Sequence, residues 1–337
     1  MALGAAIIGP QGTAITDWEK SFYADYQPLG FILFARNVDT PDQLRRLTDD
    51  LRAAAGHEAL VMVDQEGGRV QRLRAPHWRE WLPPLDDVAR ASDPERAMAL
   101  RYQIIGQELR DAGIDVNAVP CADLARAETH PFLRNRCYGE TVETVTRISR
   151  AVATGCLAGG VLPIVKHMPG HGLAQVDSHK ALPRVDLPPA ELEALDFAPF
   201  RALADLPLGM TAHIVFDSLG QSAPATQSPE VIRLIREAIG FDGLLMSDDI
   251  GMEALSGSAP ERAAAALAAG CDAVLQCNGG PQVVEAVAQA SGSLTPEAMR
   301  RAEAALNGRP SPASIDISAC VAEFETLVGE GPGRGAR

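Results

Sequence analysis

No CxxC pair occurs among the six cysteines of this 337-residue chain, and Cys121, Cys137, Cys156, Cys271, Cys277 and Cys320 are scattered rather than framed. That excludes the usual zinc-ribbon and disulfide-scaffold patterns, and reduced thiols in a reducing compartment fit best. Positive charge is also short: 30 Lys and Arg stand against 44 Asp and Glu, a net charge of −14. Such a surface attracts neither nucleic acid nor an anionic membrane. No run reaches the roughly 20 apolar residues of a membrane span. The opening MALGAAIIGPQG has neither the basic start nor the long apolar core of a secretory signal. A cytoplasmic, monomeric protein acting on a small molecule is the expectation.

What the chain does have is alternation. Eight short apolar runs recur, at Ala5–Gly9, Gly30–Ala35, Ala59–Asp64, Asp115–Pro120, Leu162–Lys166, Leu208–His213, Gly243–Asp248 and Asp272–Cys277. Helical stretches lie between most of them, among them Pro41–Ala55, Asp93–Ala112, Thr141–Ala158, Pro189–Ala204, Pro229–Ile239 and Pro260–Ala269. Thr40-Pro41, Asp93-Pro94 and Ser228-Pro229 read as helix starts, where a capping side chain precedes a proline whose missing amide costs nothing. Near-continuous apolar strands alternating with helices imply a parallel sheet, and eight repeats imply a closed (β/α)₈ barrel of the TIM type. The alternative, an open doubly wound sheet, lacks its GxGxxG turn after the first strand. Residues 1–328 are expected to form one catalytic barrel domain, with helices at Thr295–Leu306 and Ile315–Val328, and 329–337 a frayed tail.

In a barrel of this kind, reactive groups collect at the carboxyl ends of the strands. Asp64 ends the third run, Lys166-His167 the fifth, His213 the sixth and Asp248-Asp249 the seventh. The densest stretch is LPIVKHMPGHGLAQVDSHKALP, residues 162–183. Its strand is expected to stop at Lys166-His167, because Pro169, Gly170 and Gly172 forbid a regular continuation. Three readings compete for the loop that follows. One is a solvated surface turn. The second is a metal site, since His167 and His171 have i, i+4 spacing, but the intervening Pro-Gly breaks the helix that would align them. The third makes Asp177 and His179 a dyad: two apart on extended chain, they project to the same side, and the carboxylate would fix the tautomer of the imidazole.

Asp248, last on its strand, is a candidate nucleophile, since an anion beside an oxocarbenium-like state stabilises it and then traps it covalently. Asp249 could equally cap a helical segment beginning at Ile-Gly-Met-Glu-Ala. In VDQEGGRVQRLR (63–74), Asp64 and Arg72 suit sugar hydroxyls, with a solvated charged loop as the plainer alternative. Arg134 and Arg136 in FLRNRCYG could add a second set of donors.

GFILFARN, VDQEGGRVQRL, RNRCYG, KHMPGHG, DSH, MSDDIGM and GCDAVLQCN, in this order over most of the chain, resemble the family 3 glycoside hydrolases. Within them the resemblance is to the bacterial β-N-acetylhexosaminidases of cell-wall recycling. It implies a retaining hydrolase that removes terminal β-linked N-acetylglucosamine from GlcNAc-anhydroMurNAc muropeptides, with no metal and no organic cofactor. By the same resemblance Asp248 is the nucleophile, His179 held by Asp177 the acid/base, and Asp64, Arg72, Arg136, Lys166 and His167 the sugar-binding residues. A β-glucosidase or β-xylosidase of the same family, a phosphorylase, a metal-dependent barrel hydrolase and a non-catalytic sugar-binding barrel are the rival readings.

Overall fold

The computed structural model describes residues 3–176, 181–310 and 315–329. Eight parallel strands close into a barrel: β1 Gly4–Ile8, β2 Pro28–Leu33, β3 Leu60–Val63, β4 Val116–Asn117, β5 Leu162–Met168, β6 Leu208–Thr211, β7 Leu244–Asp249 and β8 Ala273–Gln276. Each pairs with its sequence neighbours, and β1 closes the ring against β8 through Ala6↔Val274 and Ile8↔Gln276. All eight runs expected from the sequence are strands of this barrel. A further short parallel pair, Arg184–Val185 with Val215–Phe216, sits outside it.

Period-two alternation sorts the strand residues into two packed layers. Leu60 and Met62, Leu208 and Met210, and Leu244 and Met246 fill the barrel interior, while Val61, Val63 and Leu245 face outward into the layer beneath the helices. Strands buried on both faces require the uninterrupted apolar runs seen in the sequence.

Thr40, Asp93 and Ser228 accept from the backbone N–H of Gln43, Arg96 and Val231, so the three expected caps are real. The expected helix over 189–204 is split into Pro189–Ala194 and Ala198–Ala202. Pro199 explains the break: it lacks an N–H, and its ring would clash with the carbonyl four residues back, at Leu195. The stretch after Pro229–Arg233 continues through Leu234–Ile239 as a wider i→i+5 turn. Helices Asp17–Tyr26 and Pro281–Ser291, not singled out from the sequence, complete the outer layer.

Acidic residues also start strands, and these serve the scaffold. Asp115, just before β4, binds Arg52 at 2.6 Å and Arg110 at 3.0 Å. Asp272, just before β8, binds Arg236 at 2.6 Å and Arg301 at 2.9 Å. Both are buried and tie helices to the amino-terminal end of the barrel, opposite the end where active sites form. Among the described residues no helix is long and apolar enough to cross a membrane.

Candidate active site

At the carboxyl end of the strands a cavity of about 320 Å³ is lined by Asp64, Arg72, Arg136, Lys166, His167 and Asp248, together with His171, Asp249 and the rings of Phe34 and Phe132. It lies at the lower end of the roughly 300–1,000 Å³ typical of small-molecule sites. Six of the eight site residues expected from the sequence therefore meet in one place. The other two, Asp177 and His179, lie outside the described residues.

Alternation alone would send adjacent residues of a strand to opposite faces, yet Lys166 and His167 both reach the cavity, as do Asp248 and Asp249. Irregular pairing accounts for this. Between Val165↔Gly209 and Met168↔Thr211, β5 advances one residue more than β6. Between Met246↔Ala273 and Asp249↔Leu275, β7 advances one more than β8. Each extra residue is a bulge, a device that re-aims side chains. β5 also runs on through Met168, so Lys166 and His167 sit on the strand rather than opening the loop as expected.

The floor of the cavity is a charge network. Asp64 accepts from Lys166 Nζ at 2.9 Å and from Arg72 Nη2 at 3.2 Å. Glu66 faces Lys166 Nζ at 2.7 Å and accepts two hydrogen bonds from Arg136, at 2.8 and 2.7 Å. Burial works against ionisation of Asp64, but Lys166 and Arg72 outweigh it and hold the carboxyl well below its usual range. Glu66 is likewise driven down to about 2, burial being overcome by Arg136 and Lys166. Burial opposes the charge on Lys166, and Asp64 and Glu66 nevertheless raise its pKa. The result is a fixed fork of cationic donors, suited to neutral sugar hydroxyls. The turn after Glu66 needs glycine: Gly67 has φ +107°, and a methyl there would lie 2.0 Å from Arg101 Nη2 and 2.7 Å from Leu82 O.

A second cluster fixes the histidines. Asp123, buried in the segment after β4, binds His167 Nδ1 at 2.7 Å and accepts from the backbone N–H of His171 at 2.7 Å. The bond through Nδ1 leaves the outer nitrogen of His167 for a ligand. Burial resists the charge on Asp123, and His167 and then His171 bring its carboxyl down to about 2. His171 has neither ring nitrogen partnered; burial, with His167 beside it, lowers it to about 4.

Asp248 Oδ1 accepts from the backbone N–H of Asp249 at 2.8 Å. Burial opposes its ionisation, but His213, His167 and that N–H lower its pKa, so it stands as an anion on the cavity wall. Asp249 behaves differently. Burial raises its pKa, and its Oδ1 accepts from the backbone N–H of Gly251 at 3.0 Å and of Cys277 at 3.1 Å, joining the β7 turn to β8. The helix expected to start at Ile250 is absent: turns fill the stretch and the next helix is Ala259–Ala269. His213, two residues beyond the end of β6, is held between Thr226 Oγ1 at 2.8 Å and the Asp249 carbonyl at 3.0 Å.

Glu66 and Asp123 were not singled out from the sequence. Glu66 had a signal, since it follows Asp64 by two and falls on the same side of extended chain. Asp123 had only its place as the one carboxylate in the largely apolar VNAVPCADLA. Arg134 does not join the site; it bonds the Arg126 carbonyl and Glu140.

A (β/α)₈ barrel with an ionised aspartate facing a sugar-sized cavity of carboxylate-held cations has the build of a glycoside hydrolase. Comparison with known proteins agrees. The glycosyl hydrolase family 3 N-terminal domain matches residues 8–307. A β-hexosaminidase of Alkalilimnicola ehrlichii is 38% identical over 295 residues, covering 85% of this chain and 84% of the relative. The structure resembles NagZ from Neisseria gonorrhoeae in complex with N-trifluoroacetyl-D-glucosamine, with TM-score 0.86 and 29% identity over 98% of this chain and 99% of that one. It also resembles a family 3 β-N-acetylglucosaminidase from Paenibacillus, with TM-score 0.84 and 28% identity over 96% of this chain and 67% of that one. The chain belongs to glycosyl hydrolase family 3 and is a hydrolase of the β-N-acetylhexosaminidase type.

Proposed function

We propose that the chain is a retaining exo-β-N-acetylglucosaminidase that releases terminal N-acetylglucosamine from peptidoglycan fragments of the GlcNAc-anhydroMurNAc type, in the cytoplasm and as a monomer. The observation that carries the reading is Asp248: it is kept ionised on the wall of the cavity that Asp64, Arg72, Arg136, Lys166 and His167 line. In this reading those five residues grip the ring and its hydroxyls while the Asp248 carboxylate attacks the anomeric carbon. The glycosidic bond breaks and its oxygen takes a proton from His179, held by Asp177. In the second half His179 accepts a proton from water, the water oxygen replaces Asp248, and the sugar leaves with its β configuration retained. A histidine suits both directions of transfer, because its ordinary pKa of about 6.5 lies near neutral pH. An amino-sugar specificity is supported by the Neisseria relative, whose complex holds an N-acylated glucosamine.

The test is turnover of an aryl β-N-acetylglucosaminide against the matching β-glucoside, with and without phosphate. Strong preference for the former, unchanged by phosphate, supports the proposal. Glucoside turnover or a phosphate requirement would give it to the rival activities. A 2-fluoro glycoside should label Asp248, and His179→Ala should lose roughly two to four decades of turnover.

A further inference from the structure

Behind His167 the structure brings a third kind of donor into reach. Cys121 Sγ lies 3.3 Å from Asp123 Oδ2, the oxygen that also binds His167 Nδ1 at 2.7 Å. One ligand atom from each of Cys121, Asp123 and His167 falls within 4.8 Å of the others, and all three residues are buried. We propose that Cys121, Asp123 and His167 form a site for a borderline-soft divalent cation of the Zn²⁺ class, at which the ion blocks the sugar-binding cavity.

The donor set suits such an ion. A thiolate, an imidazole and a carboxylate hold Zn²⁺ at roughly 2.0–2.3 Å, which sets tetrahedral ligand separations of about 3.3–3.8 Å. The Cys121–Asp123 separation of 3.3 Å already meets the lower end of that range, and the His167–Asp123 contact of 2.7 Å would spread slightly to admit the ion. An independent observation points the same way. The His171 imidazole is 94% buried with both ring nitrogens unpartnered. It stands edge-on to the ring of His167, centroids 5.5 Å apart, and its backbone N–H is already bound to Asp123. Its two unpartnered ring nitrogens make it the candidate for a fourth position. The route to a metal is thus the tertiary approach of the segment after β4, and not the helical spacing of His167 and His171.

Binding is balanced by one proton. Cys121 gives its S–H proton to solvent, and His167 moves its proton from Nδ1 to the outer nitrogen so that Nδ1 can ligate. The outer nitrogen then changes from acceptor to donor, and the ring is drawn toward the ion, away from its place against the sugar. The ion would therefore inhibit in competition with substrate. Affinity should rise about tenfold per pH unit while the thiol is protonated, because one proton leaves for each ion bound. The site itself stands apart from the hydrolase assignment, and only the effect on turnover rests on the proposed role of His167.

The test titrates the metal-free protein with Co²⁺ and Zn²⁺ alone. Wild type should show a near-ultraviolet thiolate-to-cobalt band, absent from both Cys121→Ser and Cys121→Ala. Zn²⁺ affinity, read by competition with a chromophoric chelator, should fall at least tenfold in each. Both variants should keep wild-type turnover of an aryl β-N-acetylglucosaminide in chelator. A folded wild type with no thiolate band, or a band and affinity unchanged in the Cys121 variants, overturns the proposal. So does inhibition by Zn²⁺ without the band, which would place the ion elsewhere in the cavity. Zinc-edge anomalous diffraction on the wild type locates the ion should neither variant fold. No turnover in chelator would count against the hydrolase proposal, while the cobalt band would still decide whether the cation site exists.

Discussion

Arg136 donates to both carboxylate oxygens of Glu66, at 2.8 and 2.7 Å, and Glu66 in turn faces Lys166. One buried carboxylate from the segment after β3 therefore positions cations from two other segments of the rim. Replacing it with Glu66→Gln leaves two buried cations short of counter-charge. Removing one member of a buried pair costs about 3–5 kcal/mol. The expected outcome is that loss in urea denaturation, together with at least a tenfold rise in KM for an aryl β-N-acetylglucosaminide. An unchanged KM would show that Arg136 and Lys166 hold their places without Glu66.

The two neighbouring aspartates on β7 make a sharper contrast. Asp248 is ionised and faces the cavity, whereas Asp249 spends its Oδ1 on the backbone N–H groups of Gly251 and Cys277. Asn can copy that accepting oxygen but cannot act as a nucleophile. Asp248→Asn should abolish turnover while still binding N-acetylglucosamine, and Asp249→Asn should stay within about tenfold of wild-type kcat. Steady-state kinetics on the pair decides, and the reverse ranking would move the nucleophile to Asp249.

The contrast also shows what a sequence can convey. The strands are legible because a strand buried on both faces must be apolar throughout, and the rim because polar residues cluster where those runs end. Lys166, His167 and Asp248 could be placed on that ground alone. Their joint access to one cavity could not, because it depends on extra residues in β5 and β7, and a bulge leaves no mark on the local composition. Asp123 was hidden for another reason: it acts through His167, which is 44 residues away in sequence. Arg134 and Arg136 look alike in sequence, and only tertiary packing sends one to Glu140 and the other to Glu66.

Acid should unfold the chain in two stages. His171, at about 4, sits below the roughly 6.5 of an unfolded histidine. The folded state thus resists its protonation, and stability that is full above about pH 6.5 is lost as the pH falls toward 4. Glu66 and Asp123, each near 2, lie below unfolded values of about 4.3 and 3.9. Their contribution is full above those values and is lost as the pH falls on toward 2. His171→Phe should shrink the upper stage by on the order of 3 kcal/mol, leave the share of buried His213, which burial also lowers, and leave the lower stage. Since neither ring nitrogen is partnered, the same variant should be no less stable than wild type at pH 7. Denaturant melts from pH 7 to pH 3 on both proteins test this; an upper stage undiminished in His171→Phe would assign it to other groups.

Asp272 offers a control at the opposite end of the barrel. It anchors Arg236 at 2.6 Å and Arg301 at 2.9 Å, and accepts from the backbone N–H of Leu245 at 2.8 Å. Like Asp248 it is an aspartate at a strand end, but at the start of its strand, where no cavity-lining residue lies. Asp272→Asn removes the counter-charge that faces two guanidinium groups and should cost about 3–5 kcal/mol. The KM and kcat of whatever fraction stays folded should remain within about twofold of wild type, because the rim is set by β3, β5 and β7 and not by this anchor. Denaturant midpoints and kinetics on the same preparation separate the two effects. A variant that kept its stability and lost its turnover would mean that the end of the barrel remote from the cavity, and not only the rim, sets the reactive geometry.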